Sequence, residues 1–133
     1  MTKKLSDLWL QYARDDLLSA EALMEAGIHN MVCFHSKQVA EKALKAVIAF
    51  YNQDILRTHN LLRLYKICDE LQSEKLVIED DWLIFLNDVY IDSRYPADFG
   101  LLPGGQPDRN DASRALEYAR AIFDKIKPII KGS

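Results

Sequence analysis

At 133 residues, 49% of them hydrophobic, the chain has the length of one domain and enough apolar content to bury a core without disulfides or metal. Its formal charge of −3 provides no overall positive field, which counts against a general DNA- or RNA-binding protein and leaves room only for a local basic patch. The polar start, the lack of any apolar run of bilayer-spanning length and two cysteines in no CxxC arrangement point to the cytoplasm and to Cys33 and Cys68 as small buried hydrophobes.

The first predicted helix runs from Leu5 to Ala26. Leu5, Leu8, Trp9, Tyr12, Ala13, Leu17 and Ala20 recur at three- and four-residue steps, the period of one helical face. Gly27 is its stop signal. A second helix is expected from Asn30 to Tyr51, alanine-rich on one side and ended by Asn52-Gln53-Asp54. Thr58 or Asn60 can cap a third, reaching Leu71. A fourth spans Glu79 to Ile91, carrying Trp82, Leu83, Phe85, Leu86 and Val89. The stretch after it holds three of the four prolines and three of the five glycines, a density that breaks helices and marks a long loop. The last helix starts near Asp108, with an apolar stripe from Ala112 to Ile130 and a last turn that Pro128 is expected to distort. Helices with one apolar face each must hide those faces together, and short links favour antiparallel neighbours. The expected fold is therefore all-α: a single domain over residues 1–133, an antiparallel up-and-down four-helix bundle with one short additional helix.

The densest polar feature is on the second helix. Helical spacing puts His35, Gln38, Lys42 and Lys45 on one face, and Glu41 and Lys45 stand in the favourable order for an ion pair. The strip has two readings: a solvated face with local salt bridges, or a surface toward a ligand or second subunit, where Lys42 and Lys45 would meet a phosphate. Asp16 lies beside the apolar face of the first helix and needs a partner, for which an arginine of the long loop is a candidate. His59, beside Arg57, is open to a capping role or to proton transfer and phosphate contact. Arg94 and Tyr95 precede Pro96, which restricts Tyr95 to an extended backbone, so the two are expected to project from a fixed turn. That turn is either a clamp at the end of the bundle or an aromatic-plus-guanidinium surface for a nucleotide. No metal-ligand pattern, P-loop or nucleophile motif is present in the sequence.

The stretches Tyr12-Ala13-Arg14-Asp15-Asp16-Leu17, Cys33-Phe34-His35-Ser36-Lys37-Gln38-Val39-Ala40-Glu41-Lys42-Ala43-Leu44-Lys45-Ala46, Thr58-His59-Asn60-Leu61 and Ser93-Arg94-Tyr95-Pro96 together resemble the HEPN domains (higher eukaryotes and prokaryotes nucleotide-binding). The resemblance implies an antiparallel helical bundle, a homodimer, and work beside a minimal nucleotidyltransferase in systems of the toxin–antitoxin kind. It also implies a nucleotide ligand, for which His35, Lys42, Lys45, His59, Arg94 and Tyr95 are the candidate contacts. No cofactor and no metal are implied. Ribonucleases of this family use an Arg-x4–6-His motif at the start of a late helix. Here Arg109-Asn110 opens such a motif, but Arg114 stands where the histidine is expected, and no histidine follows His59. The general acid/base of metal-free RNA cleavage is thus missing from that place, and RNA cleavage is the less favoured expectation.

Overall fold

The computed structural model describes residues 2–55, 57–72, 76–94 and 106–131, with side chains from Leu5 onward. Five helices follow one another: α1 (Thr2–Ala26), α2 (His29–Phe50), α3 (Leu61–Leu71), α4 (Asp80–Arg94) and α5 (Arg109–Lys131), with no strand among the described residues. α1, α2, α4 and α5 form the up-and-down bundle, and α3 is the short extra helix. None of these helices is long and apolar enough to cross a membrane.

Local sequence sets the helix ends. After α1 the chain reverses at Gly27, whose φ of 75° suits a residue without Cβ. There the Gly27 amide donates to the Met24 carbonyl and that of Ile28 to Leu23. The same closure ends α2, where Asn52 takes φ 62° and Gln53 N–H reaches the Ile48 carbonyl. Asn60 caps α3 by accepting from the amides of Leu62 and Arg63. Asp108 and Asp111 cap α5 reciprocally, each carboxylate accepting the other's amide. Pro128 does not end α5, which continues to Lys131. The proline sits on the exposed side, where the carbonyl it leaves without a partner can meet water.

The core is organised around α2, which packs against all four other helices. Ala40, Ala43, Ala46 and Ala49 let neighbours come close, while Leu44, Val47 and Ile48 fill the space between them. α5 adds Ala112, Ala115, Ala119, Ile122 and Ile126, all fully buried. Both cysteines are buried and free, and burial pushes each thiol up to about 12, so neither is a nucleophile at neutral pH. The Tyr65 hydroxyl donates to the Leu76 carbonyl and accepts from the Ile78 amide, fastening the segment ahead of α4 to α3.

α4 is longer than its sequence pattern indicates. It runs past Ile91 to Arg94, because nothing before Tyr95-Pro96 breaks a helix. Arg94 therefore stands in the last turn of α4, not on a turn beyond it, one helical turn from Tyr90. Tyr95 and the Gly/Pro-rich stretch to residue 105 lie outside the described residues.

Candidate functional site

Two buried carboxylates tie α2 to its surroundings. Asp16 of α1 accepts from Lys42 Nζ at 2.6 Å and pairs with His35 Nδ1 at 2.8 Å. Its partners thus come from α2, in place of the loop arginine expected for it. Asp15, one residue earlier, is exposed, as adjacent helical positions require.

Glu41, only 4% exposed, gathers three groups: Lys37 Nζ at 2.5 Å, Lys45 Nζ at 2.8 Å and His59 Nδ1 at 2.9 Å. Burial by itself would raise the Glu41 carboxyl. The hydrogen bonds from Lys37, Lys45 and His59 outweigh it and hold the group at about 2, against an ordinary 4.5. Lys37 is itself 1% exposed, and burial draws its ammonium below the usual lysine range against the pull of Glu41. The polar strip of α2 is thus not simply a solvated face. Lys37, Glu41 and Lys45 lie inside, and Gln38 and Lys42 lie at its edge.

One side of this hub opens into a groove of about 450 Å³ between α2, α4 and the start of α3. Lys37, His59, Asn60, Asn87, Tyr90, Ile91 and Arg94 line it. Lys37 Nζ stands 4.4 Å from the Tyr90 ring centroid, and the Arg94 guanidinium lies 5.4 Å from the same centroid. Phe34 stacks on Tyr90 and fixes the ring. The His59 side chain is 76% exposed, and only its Nδ1 is taken by Glu41. Among the described residues no carboxylate lines the groove, and Lys37 and Arg94 stand over the Tyr90 ring. The arrangement suits an anion that carries a flat apolar or hydrogen-bonding body.

Of the residues singled out in the sequence, His59 and Arg94 meet at this groove. Lys42 and His35 meet at Asp16, and Lys45 turns inward to Glu41 and the Trp9 ring. Tyr95 falls outside the described residues. Lys37, Asn60, Asn87 and Tyr90 complete the lining, and the sequence pattern does not mark them as site residues. A signal for Lys37 is present all the same. It stands four residues before Glu41, in the same sequence that brings Lys45 four residues after it.

Comparison with known proteins agrees with this architecture. The HEPN domain family model matches residues 6–129. A Methanocaldococcus jannaschii protein named "Putative toxin MJ1304" is 30% identical over 96% of this chain and 90% of its own length. The crystal structure of TT1696 from Thermus thermophilus superposes with a TM-score of 0.74 at 28% identity, covering 92% of this chain and 95% of that one. The crystal structure of ST0689, described as an archaeal HEPN homologue, gives a TM-score of 0.65 at 25% identity, covering 95% and 98%. With the family model matched from Ser6 in α1 to Ile129 in α5, the chain belongs to the HEPN-domain family.

Proposed function

We propose that the chain is a toxin-like HEPN module that dimerises, pairs with a minimal nucleotidyltransferase and binds a nucleotide in the groove between α2 and α4. The observation that carries the ligand is the convergence of Arg94, His59 and Lys37 on one groove that no carboxylate lines among the described residues. Arg94 is exposed and offers its guanidinium to a phosphate, and His59 stands beside it with one ring nitrogen uncommitted to Glu41. The side-chain amides of Asn60 and Asn87 supply hydrogen bonds for a ribose or base. The toxin-like role is supported by the likeness to the protein named as a toxin, and the nucleotidyltransferase partner by membership of the family. Calorimetric titration with ATP, ADP, AMP and the corresponding guanine nucleotides tests the ligand. Binding is expected to weaken about tenfold or more in Arg94→Ala, the scale of a lost charge-assisted hydrogen bond. No heat with any nucleotide, or affinity indifferent to Arg94, would count against it.

A second reading has one observation in its favour. Glu41 holds His59 by Nδ1, the arrangement in which a carboxylate orients an imidazole whose Nε2 moves protons. A metal-independent ribonuclease built on His59 and Arg94 would cleave labelled tRNA or mRNA, and His59→Ala would abolish the cleavage. The nucleotide-binding reading expects intact RNA from both proteins.

A further inference from the structure

Among the described residues, the polar side chains lining the groove between α2 and α4 have donors to spare and their acceptors committed. Asn60 caps α3, so its Oδ1 accepts from the amides of Leu62 and Arg63. Asn87 Oδ1 accepts from the Leu61 amide at 3.4 Å. A backbone N–H can only donate, and these bonds therefore fix which end of each side-chain amide is the oxygen. An NH2 group is what both residues have left for a ligand. Arg94 and Lys37 carry no acceptor at all. The Tyr90 hydroxyl accepts from Arg94 Nη1 at 3.4 Å and keeps its own proton to donate. His59 is the one side chain that can go either way. With Nδ1 bound to Glu41, its free nitrogen accepts in the neutral ring and donates in the charged one.

Stacking offers a base little here. Phe34 stacks on the Tyr90 ring with centroids 5.4 Å apart, and Lys37 Nζ stands over the same ring at 4.4 Å. Charge points the other way. Glu41 holds two ammonium groups, those of Lys37 and Lys45, so the hub behind the groove keeps an excess of positive charge, and Arg94 adds to it. Every nucleobase carries N–H groups and every ribose carries O–H groups, which need acceptors as well as donors. A phosphate chain is anionic and presents oxygen acceptors. Of the parts of a nucleotide, it is the one that a wall of donors satisfies completely.

We infer that the groove takes its nucleotide by the phosphate chain and does not select among the bases, so that inorganic polyphosphate fills the same site. The inference rests on the nucleotide-binding part of the proposed function and names the portion of the ligand that is recognised. The NH2 groups of Asn60 and Asn87 donate to whichever ligand oxygen lies nearest, phosphate or ribose, and accept no proton from a base. Specificity then lies in the number of phosphates, because selecting one base over another draws on acceptors as well as donors.

Calorimetry of the full chain with ATP, GTP, CTP, AMP, adenosine and inorganic tripolyphosphate tests the inference. The three triphosphates are expected to bind with comparable affinity, AMP more weakly and adenosine not at all. Tripolyphosphate is expected to displace ATP, and Arg94→Ala to weaken both alike. Asn60→Asp and Asn87→Asp each keep an oxygen for the backbone amide and put an acceptor where the NH2 group stood. Each is expected to weaken ATP and tripolyphosphate about tenfold or more. Aspartate caps a helix as well as asparagine does, so Asn60→Asp is expected to melt at the wild-type temperature by circular dichroism. ATP binding that tripolyphosphate does not displace, that adenosine shares, or that both aspartate variants leave intact would overturn the phosphate assignment and leave a nucleotide site standing. No heat with any nucleotide or with tripolyphosphate would overturn both.

Discussion

Glu41→Gln is expected to destabilise the protein by about 3–5 kcal/mol, the usual cost of removing one side of a buried ionic cluster. The carboxylate is the shared acceptor for Lys37, Lys45 and His59, and two of these are lysines with almost no access to water. An amide in its place satisfies one donor and leaves Lys37 and Lys45 without counter-charge. Chemical denaturation measures the loss directly, and a domain of this size would melt on the order of 10 °C lower. Lys37→Met separates the cause. It removes a buried ammonium but leaves Glu41 with Lys45 and His59, so its loss is expected to be clearly smaller. Equal losses in the two variants would contradict the role given to the carboxylate.

The same group gives the protein a defined acid sensitivity. In the fold Glu41 titrates at about 2, below its ordinary 4.5, so at acid pH the unfolded chain binds the extra proton. Its contribution is fully present above about 4.5 and is lost as pH falls through about 2. The difference corresponds to on the order of 3 kcal/mol. Denaturation midpoints followed by tryptophan fluorescence from about pH 5 down to about pH 2 are expected to fall steeply in the wild type. In Glu41→Gln they are expected to fall less. Parallel curves would place the acid-sensitive group elsewhere.

The bundle itself is legible in the residue pattern. α4 and α5 bury the apolar stripes read from their three- and four-residue spacing, α1 buries Ala13, Leu17 and Ala20 of its stripe but leaves Leu5, Leu8 and Tyr12 exposed, and Gly27, Asn60 and Asp108 act at the boundaries where their chemistry places them. The end of α4 is not legible, because Ser93 and Arg94 have no strong preference of their own and the break comes only with Tyr95-Pro96. The site is legible in part. The spacing of Glu41 and Lys45 announces an ion pair, but not that it is buried, since burial depends on α2 having neighbours on every side. A helix read alone assigns its charged residues to solvent. Lys37 is hidden for that reason, although it heads the fully buried side chains by volume among the described residues. His59 stands out as a residue type, but its bond to Glu41 spans from α2 to the link before α3 and has no signature in local sequence. Asn87 and Tyr90 join the groove because α4 lies beside α2, which spacing within α4 does not reveal.

The hub and the groove share side chains. Lys37 and His59 are held by Glu41 and at the same time line the cavity, so the carboxylate that stabilises the fold also positions two of the groups that face the ligand. Stability and ligand recognition therefore depend on one residue. Arg94, which stands outside the hub on the last turn of α4, is the position where binding can be probed without disturbing the core.

An amide-resolved NMR titration of the full chain with ATP tests the central claim most directly. The groove assignment predicts saturable shifts concentrated at His59, Asn60, Asn87, Tyr90 and Arg94, with the α1/α5 face unmoved. Saturable shifts confined to another face, or none at millimolar nucleotide, would contradict it.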